Sequence, residues 1–66
     1  MSKFYKYQVR ENQSHLLLET DDREEAMRVW RECHRICPNK YHEVYEFWDG
    51  MYNGICQFKP GDEVRW

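Results

Sequence analysis

The chain reads as an α+β protein, a two-layer sandwich of order strand, strand, helix, strand, strand, with one helix packed on one face of an antiparallel sheet. Three observations lead there. Asp49-Gly50 sits between two alternating, aromatic-rich runs, 41–48 and 51–58, and Asp-Gly suits a two-residue turn that needs positive φ at both centres. Residues 22–37 repeat their apolar positions with the helical period. Residues 3–10 and 15–19 alternate as strands on either side of the turn-forming stretch Glu11-Asn12-Gln13-Ser14.

In chain order, the first strand puts Tyr5, Tyr7 and Val9 on one side and Phe4, Lys6, Gln8 and Arg10 on the other. The short second strand, HLLLE, pairs with it as a hairpin. Asp21 is the expected N-cap of the helix, with Glu24 three residues on completing a capping box. The helix is expected from Asp22 to Ile36 or Cys37, stopped by Pro38-Asn39. Its apolar stripe is Ala26, Trp30, Cys33 and Cys37, flanked by Val29 and Ile36.

The central hairpin follows. With the turn at Asp49-Gly50, Trp48 faces Met51, Tyr45 faces Gly54 and Val44 faces Ile55. One face then carries Tyr41, Glu43, Tyr45, Phe47, Tyr52, Cys56 and Phe58, the more apolar set and the expected floor for the helix. The other face stays uncovered. It is expected to present Lys6, Gln8, Arg10, Leu17, His42, Val44, Trp48, Met51, Ile55 and Gln57. Gly54 opposite Tyr45 marks either a close approach of the ring to the backbone or a bulge. Residues 59–66 form a short C-terminal tail or edge strand, with Trp66 packed against the domain or a neighbouring subunit.

Sixty-six residues make a single domain, 1–66, with a thin margin of stability. Aromatic content of 17% points to dense ring packing, supplemented by self-association. A net charge of −2, with both signs interspersed, offers no broad attraction for nucleic acid. Three cysteines fit no secreted disulfide framework. No apolar leader or spanning segment is visible, so a cytoplasmic setting without membrane attachment is expected.

Chemistry-bearing residues are sparse. Cys33, His34, Cys37, His42 and Cys56 could supply zinc ligands, and Cys33 and Cys37 are four apart on one helix. The spacing matches no zinc knuckle or ribbon, so no metal or other cofactor is expected. A zinc-stabilised domain stands as the competing account of those cysteines. A cysteine nucleophile lacks a paired base and backbone donors, so no enzyme is expected. Glu43 is an oddity, a charge on the face chosen for the core.

The contact residues expected for a partner or for another copy are therefore Lys6, Arg10, His42, Val44, Trp48, Met51, Ile55 and Trp66. The charged first strand, the helix opening DDREEAMRVW and the hairpin EVYEFWDGMYNGI together resemble small accessory proteins encoded by bacteriophages and other mobile elements. The resemblance is one of general style over most of the chain. It implies a small viral protein in the host cytoplasm that blocks a host defence protein or sequesters a small anionic nucleotide signal; the uncovered apolar face separately predicts a homodimer or larger assembly. The alternative expectation is a single-stranded nucleic-acid-binding module that stacks bases on the uncovered face.

Overall fold

The computed structural model describes residues 4–65 and contains β1 (Tyr7–Glu11), β2 (His15–Thr20), α1 (Arg23–Ile36), β3 (His42–Trp48) and β4 (Met51–Phe58). The four strands form one antiparallel sheet in the order β2-β1-β3-β4, with α1 packed on one face. The α+β sandwich and its ββαββ order are thus as the sequence indicates. Asp49 and Gly50 take φ of 53° and 78°, which supplies the two positive values the tight turn requires. Trp66, expected to pack, lies outside the described residues.

Asp22 caps α1, not Asp21. Its carboxylate accepts the Glu24 and Glu25 N–H groups at 2.9 and 3.4 Å. Those amides have no partner inside the helix, so a side-chain acceptor placed there anchors the start. Asp21 instead accepts the Lys6 N–H at 2.9 Å, tying the helix entry to the start of β1.

The helix covers the opposite sheet face from the one expected. The pairing from the turn to Tyr45–Gly54 is as the sequence suggests, but a bulge follows. Val44 pairs with Cys56 and His42 with Phe58, leaving Ile55 as the extra residue on β4. The β1–β3 ladder aligns Val9 with Val44 and Tyr7 with Glu46. Val9, Val44, Tyr7 and Phe58 therefore meet Ala26 and Trp30 in one buried cluster, with Leu17, Leu18, Met27, Ile55, Cys56 and Val64 packed around it. Burying a side chain of this size contributes about 1.5–3 kcal/mol. Trp30 stacks on Phe58 at 4.1 Å, and its indole N–H donates to the His42 carbonyl at 3.0 Å.

His42 and Val44, expected on the uncovered face, are consequently fully buried against α1. The helix stripe also differs. Ala26, Trp30 and His34 are its buried residues, while Cys33 and Cys37 are only half-buried. A four-residue step from Trp30 reaches His34, and the imidazole lies flat on Phe58 with centroids 4.7 Å apart. Residues 59–65 form no strand. They fold back on the end of α1, where the Gly61 N–H donates to the Pro38 carbonyl at 2.8 Å.

Candidate functional site: the helix-free sheet face

Alternation along β1, β3 and β4 sends Gln8, Arg10, Glu43, Tyr45, Phe47 and Tyr52 to the face that α1 leaves open. Arg10 is at its centre. Its guanidinium lies over the Tyr45 ring, 4.2 Å from the centroid, and 5.6 Å from that of Tyr52. Gln8 fixes it there, with Oε1 accepting from Arg10 Nε at 2.9 Å and also from Nη2. Gln8 in turn donates to Glu19 at 3.0 Å. The Tyr45 ring lies beside Gly54, where an added Cβ would meet it at 3.7 Å, an ordinary contact distance. Phe47 meets Tyr52 edge-on, and Phe4 stacks on Phe47, both at 5.0 Å. Burial pushes the Tyr45 and Tyr52 hydroxyls up from their ordinary pKa, so both stay neutral and hydrogen-bonding at physiological pH.

Beside Arg10 lies a cleft of ≈ 320 Å³ lined by Gln13, Tyr41, Glu43, Tyr45, Gly54, Ile55, Cys56 and Gln57. Tyr41 O–H donates to Gln57 Oε1 across one edge. Glu43 is 3% exposed, and neither carboxylate oxygen has a hydrogen-bond partner. Burial raises the carboxyl above its ordinary 4.5. The Gln13 backbone N–H and the Arg10 charge pull the other way. The Gln13 amide and Glu43's own backbone N–H act on the charge, but neither reaches hydrogen-bond geometry. Both oxygens are thus buried and without a hydrogen-bonded donor.

The remaining expected contact residues are scattered. Lys6 places its ammonium on the Phe47 carbonyl at 3.2 Å, with Glu46 at 3.9 Å. Ile55 is the half-buried bulge residue. Trp48 and Met51 are 54% and 59% exposed beside the turn, past the last β1–β3 pair. Phe4, 65% exposed, stacks on Phe47, on the other face of β3 from Trp48.

A second polar constellation lies under the helix. His42 Nε2–H donates to Glu11 at 3.0 Å, and His34 Nε2–H donates to the Asp62 carbonyl at 2.9 Å. The two Nδ1 atoms are 2.7 Å apart. Burial, with repulsion from His34, keeps His42 below its ordinary 6.5 against the pull of Glu11. For Glu11, burial alone would raise the carboxyl, but the His42 hydrogen bond and Lys40, 3.6 Å away, bring it below 4.5. The chain Glu11–His42–His34–Asp62 joins β1, β3, α1 and the tail with no nucleophile along it, so its evident work is structural.

Cys56 Sγ lies 3.7 Å from Met27 Sδ, within the core. Burial raises the Cys33 and Cys56 thiols, which makes them poor nucleophiles. Among the described residues, no group of three or more His, Cys, Asp or Glu side chains is placed to hold a metal ion. No described helix is long and apolar enough to cross a membrane. No protein-family model, curated protein or solved structure matches the chain.

Proposed function

We propose that this is a non-enzymatic binding protein. Copies join through the end of the β3–β4 hairpin, and the helix-free face engages a partner protein. The observation that carries the reading is the exposure of Trp48 and Met51, cross-strand partners beside the hairpin turn, each more than half exposed. Large apolar side chains grouped on a small protein favour association. The resemblance to phage-type accessory proteins supports a cytoplasmic role in a host cell, blocking a defence protein or holding a small nucleotide signal. The test is Trp48→Glu, a change at an exposed turn-flanking position. The variant should keep its fold by circular dichroism and sediment as a monomer, while the wild type sediments as a dimer or larger.

One observation favours the second reading, base stacking: the open face is paved with Tyr45, Phe47 and Tyr52. Glu43 and Glu19 on the same face repel phosphate, and Arg10 is already engaged by Gln8. Salt-sensitive retention of single-stranded oligonucleotides would favour this alternative.

A further inference from the structure

Glu43 and Arg10 are direct cross-strand neighbours on one face. Opposite charges at such positions ordinarily pair. Here the guanidinium is turned away, held by Gln8 Oε1 and laid on Tyr45. The result is a carboxylate that is 97% buried, lines a cleft, and keeps both oxygens without a donor. A buried unpartnered carboxylate is costly, and native proteins keep few of them.

We propose that the Glu43 cleft is a receptor for a guanidinium group, presented as an arginine side chain by the partner protein. The chemistry selects that ligand. Two unpartnered oxygens on one buried carboxylate at the cleft wall match the paired N–H donors of a guanidinium, which binds carboxylates two bonds at a time. The walls include Tyr41 and Tyr45, and aromatic rings suit a planar, weakly hydrated cation. Gln13 and Gln57 also line the cleft and bring amide oxygens that can accept from the remaining N–H groups. The cleft volume, ≈ 320 Å³, falls at the small end of ligand-site sizes. A lysine ammonium would offer a point charge without the fork. A phosphate-bearing ligand would bring like charge to Glu43.

This inference rests on the reading that the helix-free face is a contact surface, and its test does not depend on self-association. Nα-acetyl-arginine amide is titrated into the ¹⁵N-labelled full chain, with the lysine analogue and guanosine monophosphate in parallel. The arginine probe should bind at millimolar concentration, as befits a fragment. Its shifts should centre on the backbone amides of Gln13, Tyr45, Gly54 and Gln57. Glu43→Gln, whose spectrum also reports whether the fold is intact, should weaken binding at least tenfold. Dissociation of oligomers by the Trp48→Glu change, measured separately, should leave probe binding unaltered. Equal binding by Glu43→Gln, equal or tighter binding of lysine or nucleotide, or shifts elsewhere would overturn the assignment. So would a Glu43 carboxyl titrating below 4.5 in the free protein, because Arg10 would then be its partner in solution.

Discussion

Glu43 and Arg10 stand side by side across the β1–β3 ladder without joining. The unpaired carboxylate weakens the folded state at neutral pH. Its pKa is raised on folding, so its favourable contribution is complete below 4.5 and is lost as pH rises through the folded value. Glu43→Gln should therefore gain about 1 kcal/mol at pH 7 in urea unfolding, and its stability should converge with the wild type below pH 4.5. An unchanged midpoint at pH 7 would show that the carboxylate is already satisfied. His34 is the opposite case, a buried polar group with partners on both nitrogens. His34→Leu leaves His42 Nδ1 without a partner and frees the tail, and should cost about 2 kcal/mol. Glu43 was legible in the sequence as a charge out of place in an apolar alternation. The Glu11–His42–His34 chain was not, because residues far apart in sequence meet only once β1, β3 and α1 are packed.

At the scale of elements, local chemistry was informative wherever a side chain answers to its own backbone. The Asp49-Gly50 turn, the strand runs on either side of it and the extent of α1 follow from such rules. The N-cap fell one residue later than expected because Asp21 and Asp22 are equally suited by type. The Lys6 N–H engages the first, and the helix is left to the second. Asp22→Ala should lose about 1 kcal/mol in thermal or urea unfolding, with a larger loss than Asp21→Ala in α1 helicity. The bulge at Ile55 carried no decisive local mark. Gly54 allowed either a bulge or a close ring approach, and the bulge follows directly after it, while the Tyr45 ring stays at ordinary contact distance. That single extra residue moved Cys56 and Phe58 to the face of Val44. The alignment of Val9 with Val44, a matter of strand order, completed the core there. An apolar count on one hairpin could not detect either effect.

Over the whole molecule, the buried polar chain sets the response to acid. His42 titrates below 6.5 when folded. Between that ordinary value and the folded one, the unfolded chain takes up a proton that the folded chain refuses, so stability falls as pH drops. Glu11, lowered below 4.5, extends the loss through its own folded value. Urea midpoints of Glu43→Gln, which removes the opposing trend of Glu43, should therefore decline from pH 7 toward pH 4. A midpoint that holds steady or rises over that range would contradict the lowered His42 and Glu11 pKa values.

Association is the property on which the functional account turns. Sedimentation equilibrium across a concentration series measures it directly. For a chain of 8.3 kDa, the account predicts a reversible rise to twice that mass or more, abolished by Trp48→Glu. A constant mass of one chain at every concentration, or association untouched by that substitution, would contradict it.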